Sequence, residues 1–171
     1  DPLIGGILRA CPQAELSLLE GSRPEWAGLL HKRFRKSIPD VMDRIGYLPR
    51  MSRKNFLTTL AAAHLVLDTP HFSGGLTTQE ALAGGTPVVT LPGQFLRGRV
   101  TAGAYWKMGL TTCVAGSPEA YVDTAIQILR DPKHAREIRE GILATVPALF
   151  DVAGAVREHL KFFEKERFSG V

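Results

Sequence analysis

The residues best suited to chemistry lie close together in the segment 68–93, which reads DTPHFSGGLTTQEALAGGTPVVTLPG. A glycine loop is followed there by hydroxyl groups and one acid: Ser73, Gly74, Gly75, Thr77, Thr78 and Glu80. Glycines let a backbone approach a ligand without a Cβ in the way. The unpaired amides at the start of a helix bind phosphate, and a carboxylate accepts two parallel hydrogen bonds from the cis-diol of a sugar. The segment therefore predicts a site for a nucleoside diphosphate.

The elements that position these groups follow from the apolar runs on either side. The run 65–67 precedes the loop, the residues 77–80 fit the start of a helix, and the run 87–91 follows that helix. This order predicts a strand, a glycine loop, a helix and a second strand. Open α/β sheets bind ligands at the carboxyl ends of their strands, where this loop would lie. An ordinary turn with a threonine N-cap would give the same local pattern.

Strands and helices alternate along the rest of the chain. Further strands are expected at residues 15–19, 44–48 and 112–115. From Glu119 to the carboxyl end the pattern is helical, with breaks expected near Asp131 and Pro132, at Pro147 and around Gly154. We therefore expect a single domain over residues 1–171, an α/β fold with a doubly wound, Rossmann-like parallel sheet of at least five strands and extra carboxyl-terminal helices.

Composition and cysteine usage exclude several classes of protein. With 171 residues, of which 44% are hydrophobic, the chain is long enough for a real core. Cys11 and Cys113 are far apart, and no His or Cys lies near them at metal-ligand spacing, so we expect free thiols in a reducing, cytoplasmic location and no bound metal. No apolar run approaches the roughly 20 residues that a bilayer crossing needs, so we expect no membrane contact.

The net charge is +4, and the excess is concentrated in two basic clusters at residues 31–36 and 50–54. Such runs are most often solvated helix faces. They also fit attraction toward an anionic small ligand or a nucleic-acid surface. Aromatic residues that stack bases are not interleaved with these clusters, so nucleic acid is the weaker alternative and no nucleic-acid partner is expected.

The central block also carries a family resemblance. Residues 67–70, the glycine pair Gly74 and Gly75, Thr77, Glu80, residues 85–93 and Arg99 resemble the nucleotide-sugar half of GT-B glycosyltransferases. The likeness is closest to the carboxyl-terminal part of the O-linked N-acetylglucosamine transferase family, glycosyltransferase family 41. Further similarity extends back to residues 47–49 and forward to residues 108–110, so it covers most of the chain.

This resemblance implies roles for individual residues. Glu80 stands where the family has an acid that binds the ribose hydroxyls of UDP, and Thr77 where it has a threonine that binds the diphosphate. Arg53 stands in place of a lysine that neutralises the diphosphate, Arg99 matches a family arginine, and Met51 would offer only backbone groups to uracil. Arg53 and Arg99 also fit a solvent-facing residue and a structural ion pair, respectively.

The sequence departs from the family pattern at two positions. A His-Thr-Thr sequence of the animal enzymes is replaced by Gly75, Leu76 and Thr77, followed by an extra threonine, Thr78. Phe56 occupies the position of another family histidine. Phosphate binding would therefore depend on amides, hydroxyls and cations, without a metal or other cofactor.

Taken together, the resemblance implies a protein that transfers a hexose or N-acetylhexosamine from a UDP-sugar to a protein or other acceptor. We expect this chain to be a fragment, with catalytic residues supplied by an amino-terminal half that it lacks, so it would bind nucleotide weakly and be inactive alone. One alternative is a non-catalytic domain that binds a partner through its basic face. Another is an unrelated doubly wound domain, such as an epimerase or a response regulator.

An exposed apolar surface is expected on the last helix, around Leu160, Phe162 and Phe163, because one core-facing stripe does not need three large apolar residues so close together. Such surfaces mark lost or transient interfaces, so self-association is possible. The alternative is that the helix folds back and buries all three residues on its own domain.

Overall fold

The computed structural model describes residues 1–168, without the side chains of Pro24 and of residues 166–168. Its strands are β1 (Leu16–Leu19), β2 (Ile45–Leu48), β3 (Val66–Leu67) and β4 (Val88–Val89). The helices are α1 (Pro2–Ala10), α2 (Pro24–Ser37), α3 (Arg53–Ala62), α4 (Leu76–Ala83), α5 (Val100–Lys107), α6 (Pro118–Arg130), α7 (Pro132–Thr145) and α8 (Val152–Phe168). Short 3₁₀ turns lie at Pro39–Arg44, Leu96–Gly98 and Val146–Phe150.

The strands form two parallel pairs. β1 lies beside β2, with Leu16 opposite Ile45, and β3 lies beside β4. Thr90 adds a parallel bridge to Val114, which extends the second pair by one further segment. The α/β class with parallel strands and extra carboxyl-terminal helices is confirmed.

The expectation of one continuous sheet with at least five strands is wrong for the described residues. All five predicted segments lie in extended pairings, but they form two separate pairs and a bridge. Prolines 70, 87 and 92 flank β3 and β4, and a proline has no amide to donate to a ladder. The second pair therefore stops after two residues in each strand.

Two apolar clusters form the interior. The larger surrounds β4 and includes Val88, Leu82, Tyr105 and Ile142, all almost fully buried. The smaller packs α2 against β2 and the turn between them: Leu8, Phe34, Ile38, Val41 and Ile45. Burying one such aliphatic or aromatic side chain contributes about 1.5–3 kcal/mol, so these clusters hold the helices against the strands.

Local sequence signals fix most helix ends. Ser52 accepts a hydrogen bond from the amide of Asn55 at 3.3 Å, so it caps α3. Gly109 follows α5 with a φ of +71°, a left-handed conformation that favours glycine. The break predicted around Gly154 lies instead at Asp151, whose carboxylate accepts from the Gly154 amide at 2.8 Å. Residues 169–171, which the predicted helical pattern included, lie outside the described part.

Helix α8 exposes its apolar residues, as expected for the last helix. Leu160, Phe162 and Phe163 are each more than half exposed. The alternative that α8 buries these residues on its own domain is therefore wrong for this structure. No helix within residues 1–168 is long and apolar enough to cross a membrane.

Candidate nucleotide site

The glycine loop is held by a buried carboxylate at the end of β3. Asp68 Oδ1 accepts a hydrogen bond from the Gly74 amide at 2.8 Å, and Oδ2 accepts from Thr90 Oγ1 at 2.7 Å. The hydroxyl of Tyr121 donates to the Asp68 carbonyl oxygen at 2.9 Å. Burial raises the pKa of Tyr121 well above its ordinary value, so this phenol stays protonated and able to donate. Asp68 therefore fixes the loop to the strands around it.

Sequence reasoning did not include Asp68 among the site residues, although it noted the acid at the end of the apolar run. The sequence feature that indicates this role is an acid directly after a predicted strand, followed by a glycine whose amide can donate a hydrogen bond back to that acid. Because the carboxylate is buried and occupied by two protein donors, its role is to position the loop.

Gly74 lies close to α4, and a larger residue there would displace the Thr78 side chain. A Cβ built there would come within 2.6 Å of Thr78 Oγ1. That hydroxyl is buried, donates to the Gly74 carbonyl oxygen at 3.0 Å and shares a 2.9 Å hydrogen bond with Thr101 Oγ1. The Thr78 hydroxyl therefore holds α4 against α5 and the glycine loop, and ligand contact by Thr78 through its backbone amide stays a prediction.

The amino end of α4 presents free backbone donors. The first hydrogen bond of the helix runs from the Gln79 amide to the Gly75 carbonyl oxygen at 3.3 Å, which leaves the amides of residues 76–78 without a partner inside the helix. Thr77 and Gly75 are exposed there. The positive end of the helix dipole adds to the attraction for an anion. The position where the animal enzymes have a histidine is open, since a Cβ on Gly75 would meet nothing within 4 Å.

Ser73 supplies an unpaired hydroxyl in the same loop. The residue is only 3% exposed, and its Oγ has no hydrogen-bond partner among the described residues. Its amide donates to the Arg97 carbonyl oxygen at 2.7 Å, which joins the glycine loop to the turn that follows β4. A buried hydroxyl without a partner costs about 1–3 kcal/mol, a cost that a ligand oxygen would relieve.

Two predicted residues from different helices meet at this edge. Arg53 Nη2 lies 3.0 Å from Glu80 Oε1, which joins the first turn of α3 to α4. The Arg53 side chain is 74% exposed and that of Glu80 is 13% exposed. The pair stands at one end of a groove of about 540 Å³ between the two helices, whose walls include Leu57, Ala61 and Ala83.

The other two predicted ligand-binding residues, Arg99 and Met51, contact protein groups in this structure. Arg99 donates to the Gly93 carbonyl oxygen at 3.2 Å, and its guanidinium lies 5.3 Å from the ring centre of Trp106. Met51 precedes the Ser52 cap, and its sulfur accepts weakly from Thr59 Oγ1 at 3.5 Å. Ligand contacts by Arg99 and Met51 stay predictions.

Phe56, at the position of a family histidine, packs against the larger apolar cluster. Within residues 1–168, no group of three or more His, Cys, Asp or Glu side chains is placed to hold a metal ion. The groups that converge on this edge are backbone amides, hydroxyls, one carboxylate and one guanidinium. These groups are chemically complementary to a molecule that carries both anionic oxygens and hydroxyls.

The fold and the site define a class: an α/β domain with a helix amino end and a carboxylate at the carboxyl edge of parallel strands. The family follows from comparison with known proteins. Residues 6–157 match the Glycosyl transferase family 41 profile, and the chain belongs to that family.

Individual relatives agree with this assignment. A UDP-N-acetylglucosamine–peptide N-acetylglucosaminyltransferase of Caenorhabditis elegans is 34% identical over 92 residues, which cover 53% of this chain and 8% of that protein. The protein of the same name from Giardia intestinalis is 25% identical over 154 residues, covering 88% of this chain and 10% of its own length.

A solved structure has the same fold. A mutant O-GlcNAc transferase of Thermobaculum terrenum superposes with a TM-score of 0.74 at 30% identity, over 88% of this chain and 32% of the other. The chain therefore spans about a third of that structure and about a tenth or less of the two longer relatives.

Proposed function

We propose that this chain is the donor-binding domain of a GT-B glycosyltransferase that transfers N-acetylglucosamine, or a related hexose, from a UDP-sugar to a protein acceptor. The observation that carries the proposal is the meeting of Arg53 and Glu80 beside the amino end of α4, at 3.0 Å. Membership of family 41 and the names of the relatives support the transferred sugar and the acceptor class.

The groups divide naturally between the parts of a UDP-sugar. The amides at the start of α4, which have no partner inside the helix, suit the diphosphate together with the hydroxyls of Thr77 and Ser73. Arg53 adds a cation for the same anion. Glu80 suits the ribose, because a carboxylate accepts two parallel hydrogen bonds from a cis-diol. Gly74 lets the loop approach α4 closely enough to assemble this set.

Bond cleavage in such a reaction leaves negative charge on the departing UDP. Backbone amides and a helix dipole that are already in place stabilise that charge without reorganisation, and the Arg53 guanidinium adds a positive charge beside them. We propose that this domain acts through such stabilisation and needs no metal. No catalytic base is assigned in this chain. We propose that the base and the acceptor-binding surface belong to other parts of a longer protein, comparable in length to the relatives.

The state of the two cysteines bears on the cellular compartment of the protein. Cys11 and Cys113 are both free and buried. Burial raises the pKa of the Cys113 thiol to about 11, so it stays protonated and unreactive at neutral pH. Free thiols suit a reducing compartment, and we propose that the protein is cytoplasmic.

Calorimetric titration with UDP, UMP, ADP and GDP tests the proposal. UDP should bind more tightly than the other three nucleotides, since the diphosphate engages α4 and the uracil is the base that the resemblance implies. Equal binding of all four, or none at millimolar concentration, would contradict a UDP-sugar site. A strong response to a nucleic acid or a protein partner instead would favour the basic-face alternative.

A further inference from the structure

The ion pair between Arg53 and Glu80 competes with the role that each residue has in the proposed site. Glu80 must offer its carboxylate to ribose hydroxyls, yet Arg53 Nη2 occupies Oε1 at 3.0 Å. Arg53 must offer its guanidinium to the diphosphate, yet its charge is engaged by the carboxylate. Neither residue is fully available while the pair is closed.

We propose that Arg53 determines specificity by partner exchange, an inference that rests on the proposed function. In the ligand-free protein Arg53 covers Glu80. A diphosphate draws the guanidinium away, and the carboxylate then becomes available to the ribose. A nucleoside carries no anion to draw Arg53 away, so the site discriminates against uncharged nucleosides more strongly than the loss of phosphate contacts alone would require.

The exposures of the two side chains favour this exchange. Arg53 is 74% exposed and Glu80 only 13% exposed, so the guanidinium can move into solvent while the carboxylate keeps its place. The guanidinium end of the pair is solvated, so water replaces the carboxylate as its partner when the pair opens. The backbone of Arg53 is held at the start of α3 by the Ser52 cap, so only the side chain has to move.

A purely structural role makes a different prediction. The groove below the pair is lined by Leu57, Ala61 and Ala83, so the ion pair could serve only to hold α3 against α4 at its open end. In that case, removing Arg53 would loosen the helices and would not improve the binding of any ligand. The sign of the change in nucleoside affinity therefore separates the two roles.

The experiment compares wild type with Arg53→Gln, using uridine, inorganic pyrophosphate and UDP as probes and ligand-observed NMR for the weak binders. Glutamine keeps the Cβ, Cγ and Cδ atoms for packing and removes the charge. Uridine affinity should rise by about two- to fivefold in this variant, the range that corresponds to releasing an exposed ion pair. Pyrophosphate and UDP affinity should fall by about tenfold or more, because a charged hydrogen-bond donor is lost.

Lys54→Gln provides the matched control. Lys54 is the exposed neighbour on the same helical turn, and its replacement removes one positive charge without touching Glu80. It should leave uridine affinity unchanged and reduce UDP affinity only slightly. Glu80→Gln completes the cycle: it frees Arg53 from the opposite side, so pyrophosphate affinity should rise while uridine affinity falls.

The outcomes separate this inference from the proposed function. If wild type binds UDP but Arg53→Gln leaves uridine affinity equal or lower, with a wild-type circular dichroism spectrum, partner exchange is wrong and the donor site stands. A rise in uridine affinity with Lys54→Gln as large as with Arg53→Gln would show a general charge effect and would also overturn it. If wild type binds neither UDP nor uridine, the donor site is wrong and the exchange fails with it.

Discussion

Asp68 and Gly74 are joined by a 2.8 Å hydrogen bond that spans six residues, from the carboxylate after β3 to an amide of the glycine loop. The other carboxylate oxygen reaches Thr90 just after β4. One buried side chain therefore fixes the start of α4 relative to both strands. This bond holds the amides at the start of α4 at the sheet edge, where the proposed diphosphate site lies.

Replacing Asp68 should loosen the loop and weaken nucleotide binding together. Asp68→Ala leaves the Gly74 amide and the Thr90 hydroxyl without their acceptor, so the free energy of unfolding should fall by about 1–3 kcal/mol. Asp68→Asn should cost less, because its carbonyl oxygen still accepts from Gly74 and the Thr90 hydroxyl can turn to accept. Urea denaturation and UDP titration measure both effects.

Asp123→Ala, on the exposed side of α6, is the control for removing an acid. If Asp68→Ala unfolded at the same urea concentration as this control and bound UDP as wild type does, Asp68 would have no positioning role.

The two loop glycines should respond differently to a single added methyl group. Gly74→Ala places a Cβ within 2.6 Å of Thr78 Oγ1 and should cost about 1–3 kcal/mol of stability as the buried hydroxyl is displaced. Gly75→Ala meets no atom within 4 Å, and alanine is only a poorer N-cap, so it should cost less than about 1 kcal/mol. Equal thermal stability of the two variants would contradict the close approach of loop and helix.

The open space at Gly75 also allows a gain of function. Gly75→His adds an imidazole at the position where the resemblance implies a phosphate-binding histidine. Because an ordinary histidine has a pKa of about 6.5, its positive charge increases as the pH is lowered. UDP affinity should therefore exceed that of wild type, and by more at pH 6 than at pH 8. An unchanged affinity at both pH values would show that the diphosphate does not lie against this position.

Sequence patterns were sufficient for the local unit but not for its contacts. Apolar runs, glycines and prolines located β3, the loop, α4 and β4, because turns and caps depend on neighbouring residues. The orientation of the Thr78 hydroxyl depends on Thr101, 23 residues away, so no local pattern reports it. The prolines that shorten β3 and β4 are visible in the sequence, but the division of the strands into two separate pairs is not.

The meeting of Arg53 with Glu80 shows where the family resemblance added information. The residues are far apart in sequence, and each alone fits a solvent-facing helix residue. Only the matched positions implied that both serve one ligand, and the 3.0 Å contact brings them together. The roles of both residues toward UDP stay predictions.

Glu80→Gln should weaken UDP binding by about 1–3 kcal/mol, the usual range for the loss of a charged hydrogen-bond partner. The fold should persist, because the residue lies at the edge of the groove and its ion pair involves an exposed arginine. Calorimetry measures the affinity and circular dichroism the fold. A folded variant that binds UDP as tightly as wild type would remove Glu80 from the site.

The last prediction concerns the apolar face of α8, formed by Val152, Val156, Leu160 and Phe163, at intervals of three or four residues on one side of the helix. Each of these side chains is at least half exposed. A helix with this pattern buries its stripe against a partner. We expect the isolated chain to self-associate through this face, with a molar mass that rises with concentration in light scattering.

Phe163→Asp should abolish this association, because it places a charge within the apolar contact, at its carboxyl end. The far-UV spectrum should stay unchanged, since Phe163 is exposed in the single chain and contributes little to its core. Lys161→Asp, on the polar side of α8 where Lys161 pairs with Glu158 at 3.7 Å, is the matched control and should still associate. A strict monomer at every concentration, with strong hydrogen-exchange protection over residues 158–165, would show instead that α8 is covered within its own molecule.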